Sequence, residues 1–204
     1  MTAFAPLAAI LLAAGFSRRM GGENKLLKPF HGKPLIAHTL GIVARLGLGQ
    51  LVVVLGESAD AVAPLLPRSV DVVRNSRAGE GMGASLAAGA AAVTPDMAGV
   101  FVVLADMPLV TRADYERLVT AFEAQERRSI CVPLHEGQRG HPVLFRACDL
   151  PALASLQGDS GARRLLADRQ RPVYEIEGCS AGVLTDFDEP ASFDVAASGK
   201  TLPK

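Results

Sequence analysis

Three apolar runs, LAAILLA (7–13), LVVVLG (51–56) and VFVVLADMP (100–108), are separated by stretches whose apolar residues recur at helical spacing. This alternation constrains the chain more than any other feature. A strand with one wet face alternates polar and apolar residues, whereas a wholly apolar strand must be covered on both sides. Strands of that kind, joined by helices, form a mostly parallel sheet with helices on both faces.

The segments between them agree. Residues 34–46 read as a helix opened by Pro34, 58–67 as a short helix capped by Ser58, and 82–93 as an alanine-rich helix. Residues 111–126 have Thr111 as N-cap and Asp114 three positions on. DVVR (71–74) is a weak strand; 130–134, 143–145 and 173–176 are further strands, and helices are expected over 147–156, 161–169 and 190–197. The fold expected is α/β: a single-domain, doubly wound, mostly parallel (Rossmann-like) sheet, with an irregular edge after about residue 127. A length of 204 residues suits one well-cored domain.

Composition narrows the function classes. Lys plus Arg equals Asp plus Glu at 21 each, so no long-range attraction to nucleic acid or anionic membrane is expected. The apolar start resembles a signal peptide, but its arginines follow the apolar run; it reads as a core strand. Cys131, Cys148 and Cys179 are odd in number and widely spaced, with no C-x-x-C; they read as small buried thiols in a reducing cytoplasm.

In an open parallel sheet, ligands gather beyond the carboxyl ends of the strands. LLAAGFSRRMGGENKLL (11–27) leaves such an end with Gly15, Gly21 and Gly22 and with Arg18, Arg19 and Lys25. Glycines let backbone N–H groups approach an anion, and the cations supply charge, so the loop reads as a polyphosphate cradle. A glycine-rich connection with solvated arginines is the plainer alternative. It is not a Walker A loop, because no Gly-Lys-Ser/Thr occurs. A second loop, NSRAGEGMGASLAAGA (75–90), holds Gly79-x-Gly81-x-x-Ala84, the looser dinucleotide pattern, with Asp106 about where its acid belongs. A nicotinamide-dependent oxidoreductase therefore stands as a rival. Asp106, just past the strongest strand, could hold Mg²⁺, which needs few protein ligands beside substrate phosphates; a loop-ordering aspartate is the alternative.

LAAGFSRRMGGENKLL resembles the L-A-x-G-x-S-x-R-M-G-x-x-K signature of the MobA-like nucleotidyltransferases that act on the molybdenum cofactor. Arg19 and Lys25 fall on its Arg and Lys positions, with a spacer one residue longer than in some members. LADMP matches the L-x-x-D-x-P motif that supplies the metal-binding aspartate, here Asp106. Gly81 and Ser85 match a G-x-x-x-S-L element that contacts the base. TDFDEP (185–190) resembles D-x-D-T-P, with Glu189 in place of Thr and with Asp188, or else Asp186, as second metal ligand. GQRGHPVLF and LQGDSGARRLL are similar to segments of the cytidylyl-transferring (MocA-like) branch that line the second-substrate side.

The resemblance implies a fold of the nucleotide-diphospho-sugar transferase type. The nucleotide side would occupy about 1–126, and the acceptor and edge side about 127–204. It implies catalytic Arg19, Lys25 and Asp106; nucleotide contacts from Ala13, Ala14, Gly15, Arg19, Lys25, Gly81 and Ser85; and Mg²⁺ on Asp106 and Asp188. His141, Asp159 and Arg163 would meet the acceptor. The implied reaction moves CMP from CTP to the phosphate of a molybdopterin-type cofactor and releases pyrophosphate, and the implied client is a molybdoenzyme. GTP as donor and a non-catalytic cofactor carrier remain open. His38 is assigned no function.

Overall fold

The computed structural model describes Phe4 and residues 6–15, 24–159 and 161–187. The strands are β1 (Leu7–Ala13), β2 (Pro29–Phe30), β3 (Lys33–Pro34), β4 (Gln50–Leu55), β5 (Asp71–Arg74), β6 (Gly99–Leu104), β7 (Ile130–His135), β8 (Gln138–Arg139), β9 (Val143–Arg146) and β10 (Val173–Ile176). The α-helices are α1 (Leu35–Val43), α2 (Ala59–Val62), α3 (Met82–Ala91), α4 (Arg112–Ala124), α5 (Leu150–Ala154) and α6 (Arg163–Ala167).

The main sheet runs β10-β7-β9-β6-β1-β4-β5, with β8 paired to β7. β1 lies parallel to both β4 and β6, and β4 to β5. β9 runs antiparallel between β6 and β7, while β10 is parallel to β7. The sheet is therefore parallel where the three apolar runs lie and mixed at the edge built by the second half of the chain. β2 and β3 form a separate two-stranded ribbon.

Period-two alternation along β1 divides the core. Leu7, Ala9, Leu11 and Ala13 face a cluster that includes Leu35, Ile36 and Leu40 of α1 and Tyr115, Leu118 and Phe122 of α4. Ala8 and Ile10 face the opposite cluster with Leu86 and Ala90 of α3 and Leu153 of α5. Both faces are covered, which is why β1, β4 and β6 carry almost no polar side chain. Helix α3 lies close to the sheet at Gly89, where an added Cβ would stand 2.5 Å from Ile10 Cγ2. The alanine-rich sequence of α3 suits that tight contact.

Helix α4 begins as its sequence implies. Thr111 Oγ1 accepts from the Asp114 N–H, and Asp114 accepts from the Thr111 N–H at 2.8 Å. The expected strand over 100–108 ends at Leu104, because Ala105 and Asp106 turn away. The expected helix over 58–67 is α2 followed by a 3-10 turn, and that over 147–156 starts as a 3-10 turn before α5. The helix expected over 190–197 lies outside the described residues. Cys131 and Cys179 are buried as expected, whereas Cys148 is exposed: it sits in the 3-10 turn after β9, where that turn's inward residue is Asp149. No helix among the described residues is long and apolar enough to cross a membrane.

Candidate functional site

From β1 the chain proceeds to β4 and β5 on one side, then returns to β6 on the other. Strand order thus reverses at β1, and the carboxyl ends of β1 and β6 flank the crevice where ligands bind in open α/β sheets. The loop with Lys25 leaves the first of these ends and the turn with Asp106 leaves the second. The Ala105 N–H donates to the Leu12 carbonyl at 3.1 Å, which carries the β1–β6 pairing up to that rim.

Here the two charged side chains meet. Lys25 Nζ donates to Asp106 Oδ2, and both side chains are largely buried. Lys25 opens a short 3-10 turn capped by Asn24, whose Oδ1 accepts from the Leu26 N–H at 3.0 Å. Leu26 is buried in the core, so the turn is anchored while the ammonium group projects to the rim. Sequence separation is 81 residues; only the sheet topology brings the pair together. Arg19 and Asp188 lie outside the described residues.

The chain's final described segment threads past the same rim. The Phe187 N–H donates to the Asp106 carbonyl at 3.1 Å, and the fully buried Phe187 ring packs on Phe30, with centroids 4.9 Å apart. Asp186, one residue earlier, is thereby held beside the Asp106 turn. Two glycines admit this segment: a Cβ on Gly182 would lie 2.1 Å from the Leu109 oxygen, and one on Gly140 would lie 2.1 Å from the Val183 oxygen. Ser180 fastens it to α4, donating to Asp114 from its N–H at 2.8 Å and from its hydroxyl at 2.7 Å. Burial pushes the Asp114 carboxyl up, but hydrogen bonds from Ser180 and Thr111 outweigh it and hold the group below its ordinary value.

On the acceptor side, His141 N–H donates to the Val183 carbonyl at 2.9 Å, and its Nδ1 is buried with no hydrogen-bond partner. Burial drives its imidazole below the ordinary histidine value. The Val102 carbonyl and the Asp106 charge oppose that shift, and Arg163 adds to it. Its ring is thereby held toward the neutral form, with Asp106 and Arg163 acting on it in opposite directions. Arg163 itself is exposed at the start of α6.

Asp159 stands elsewhere. Its Oδ1 accepts from the Met82 N–H at 3.3 Å, and the Gly158 carbonyl accepts from the Gly83 N–H at 2.8 Å. The chain's own 157–159 segment therefore covers the N-terminus of α3. Gly81, with φ 117°, faces that segment: an added Cβ would lie 2.7 Å from the Gly158 and Asp159 backbone. Gly81 of the G-x-G-x-x-A pattern thus admits protein backbone at the place where a dinucleotide pyrophosphate would sit in that motif.

Ser85 lies in the first turns of α3, buried, with its Oγ accepting from Asn75 Nδ2 at 3.1 Å. The sequence reading passed over Asn75; an asparagine after a short strand has the local signature of any turn. Ala13 and Ala14 close β1, and Gly56 fits against them. A Cβ on Gly56 would stand 2.9 Å from the Ala14 oxygen and 3.1 Å from Ala78 Cβ, so the loops after β1, β4 and β5 touch at one edge. At Gly15 an added Cβ would meet nothing within 4 Å among the described residues. His38 Nε2 lies 2.7 Å from the Phe30 carbonyl, a structural contact.

The donors at the rim fit a hard cation that arrives with its substrate. Asp106 offers one carboxylate at the crevice, and the described residues hold no group of three His, Cys, Asp or Glu that could bind a metal by themselves. Mg²⁺ characteristically takes one or two carboxylates and completes its shell with phosphate and water.

Comparison with known proteins agrees with this geometry. Residues 9–173 match the MobA-like NTP transferase domain. The nicotine blue oxidoreductase of Paenarthrobacter nicotinovorans is 34% identical over 181 residues, spanning 84% of this chain and 86% of that protein. The crystal structure of Rv0371c from Mycobacterium tuberculosis H37Rv superposes with a TM-score of 0.82 at 29% identity, covering 97% of this chain and 100% of the other. A complex of Rv0371c with manganese superposes with a TM-score of 0.78 at 27% identity, over 94% and 98% of the two chains.

Proposed function

The chain belongs to the MobA-like NTP transferase family, and from that premise we propose that it transfers CMP from CTP to the phosphate of a molybdenum–pterin cofactor, with release of pyrophosphate. The observation that carries this reading is the meeting of Lys25 and Asp106 at the strand-order reversal between β1 and β6. One cation and one carboxylate at that crevice are what a metal-chelated triphosphate requires. The choice of cytidylyl transfer rests on the likeness of GHPVLF and GDSGARRLL to that branch of the family.

The nucleophile needs little activation, since a phosphomonoester's second pKa is about 6 and it is mostly dianionic at neutral pH. What it needs is alignment and charge neutralisation. Mg²⁺ bound at Asp106, with Asp188 or Asp186 as second ligand, would supply Lewis-acid stabilisation of the phosphate oxygens. Lys25 and Arg19 offset charge on the triphosphate and on the departing pyrophosphate. Ala13, Ala14 and Gly15 offer close backbone approach at the end of β1, and Gly81 shapes the base side for Ser85. Arg163 attracts the acceptor's phosphate, and the neutral His141 contributes a hydrogen-bonding ring without adding charge. Asp159 acts on the acceptor side through the loop it fastens to α3. Residues 1–126 form the nucleotide part of one nucleotidyltransferase domain, and 127–204 its acceptor and edge part. The setting proposed is the cytoplasm, with a molybdoenzyme as client.

A pyrophosphate-release assay with CTP, GTP, ATP and UTP, with and without molybdenum-loaded pterin, tests the reading. Release with CTP that depends on pterin and Mg²⁺ is expected. GTP in place of CTP would move the chain to the guanylyl branch, and pterin binding with no release from any triphosphate would make it a carrier. A second reading, a nicotinamide-dependent oxidoreductase, is favoured by the name of the Paenarthrobacter relative. Tight NADH binding without magnesium would support it.

A further inference from the structure

Ser85 and Asn75 are both more than nine-tenths buried, at 5% and 9% exposure, and they are bonded to each other. The direction of that bond can be assigned. Asn75 Oδ1 accepts from the Arg77 N–H at 3.0 Å, which fixes the amide with its oxygen toward the backbone. Asn75 Nδ2 must then be the donor, and Ser85 Oγ the acceptor. Two protons remain, the second Asn75 amide hydrogen and the Ser85 hydroxyl hydrogen, and among the described residues neither has a hydrogen-bond acceptor. Buried donors left in that state cost free energy until an acceptor reaches them. Asn75 sits just past β5, three residues before Ala78, which adjoins Gly56 and through it the end of β1.

We propose that Asn75 is a specificity-determining residue: by holding Ser85 as acceptor, it makes the pair present donors only, and so selects a base edge with adjacent acceptors. Cytosine offers O2 and N3 side by side. Uracil and guanine place an N–H at the corresponding ring nitrogen, opposing a donor with a donor. The inference rests on the nucleotidyltransferase reading and gives its base preference a physical source.

The polarity can be reversed with one nearly isosteric change. In Asn75→Asp the amide donor becomes an acceptor, Ser85 turns its proton toward the carboxylate, and its lone pairs face the ligand. Calorimetric titration of wild type, Asn75→Asp and Ser85→Ala with each of the four triphosphates in Mg²⁺ reads this out. Wild type is expected to favour CTP over UTP. Asn75→Asp should shrink or invert that ratio by about tenfold or more, and Ser85→Ala should shrink it by about threefold to tenfold, the worth of one hydrogen bond. If Asn75→Asp melts early, Ser85→Ala decides alone. A CTP:UTP ratio unchanged within about twofold in the folded variants overturns the proposal while leaving the transferase reading intact. Failure of wild type to bind any triphosphate overturns both.

Discussion

The two glycine-rich loops leave the same edge of the sheet and resemble each other in sequence, yet they face different partners. At the first, an added Cβ on Gly15 would meet nothing within 4 Å among the described residues, and Lys25 joins Asp106 at the crevice. At the second, Gly81 and Gly83 are in contact with the 157–159 backbone, and the first N–H groups of α3 are taken by Asp159 and Gly158. A missing Cβ makes room, and what fills the room decides whether a glycine serves a ligand or the fold. At the second loop that room is filled by the chain's own 157–159 segment.

The largest effect expected from this contrast is on rate at the first loop. Asp106→Ala and Lys25→Ala should each lower pyrophosphate release by on the order of 10²–10³ with the fold retained. Near-normal turnover in both would remove the distinction between the loops. At the second loop the expectation is reversed. Gly83→Ala puts a Cβ 2.6 Å from the Gly158 oxygen, and overpacking of that kind costs about 1–3 kcal/mol. A lowered urea midpoint should reveal it, even though alanine is the better helix former. An unchanged midpoint would mean that 157–159 does not rest on α3 in solution.

Ser180→Ala probes what holds the tail at the open rim. It removes a hydroxyl donor from Asp114 and should cost about 1.5–3 kcal/mol, the range for a hydrogen bond to a charged group, at neutral pH. Because Asp114 is held below its ordinary value, its contribution is complete above that ordinary value and lost as pH falls through the folded one. The stability gap between wild type and variant should therefore narrow in acid, which melting curves from pH 7 to pH 3 would show. The smallest effect belongs to Gly15→Ala, where the space is open: a stability change within about 0.5 kcal/mol. If that variant nonetheless weakens triphosphate binding, close approach of backbone to ligand is confirmed as the glycine's role.

Much of this was legible before the structure. β1 is readable to the residue, because an apolar run bounded by turn residues leaves little choice; β5 and β10 keep their expected bounds although they are short and largely exposed. Thr111 and Asp114 announced the start of α4 by chemistry confined to four residues. The paired residues Pro29–Phe30 and Lys33–Pro34 were not legible, since two-residue strands show no period. The sequence pattern runs four residues past the end of β6 at Leu104, because a turn that stays buried keeps an apolar sequence. Lys25 and Asp106 were each readable from their motifs, but their contact depends on strand order. Gly81 illustrates the limit: its neighbours lie 77 and 78 positions away, so its local pattern suits a ligand as well as it suits Gly158 and Asp159. Asn75 and Phe187 gave no local signal, because burial of a turn amide or of a tail aromatic is a property of the assembled core.

A crystal structure with a non-hydrolysable CTP analogue and Mn²⁺ tests the central claim most directly, since manganese can be located by its anomalous signal. The account predicts a metal peak at about 2.0–2.2 Å from an Asp106 carboxylate oxygen, with the triphosphate beside Gly15 and Lys25. A triphosphate seated instead on the N-terminus of α3, with 157–159 displaced and no metal at Asp106, would contradict it.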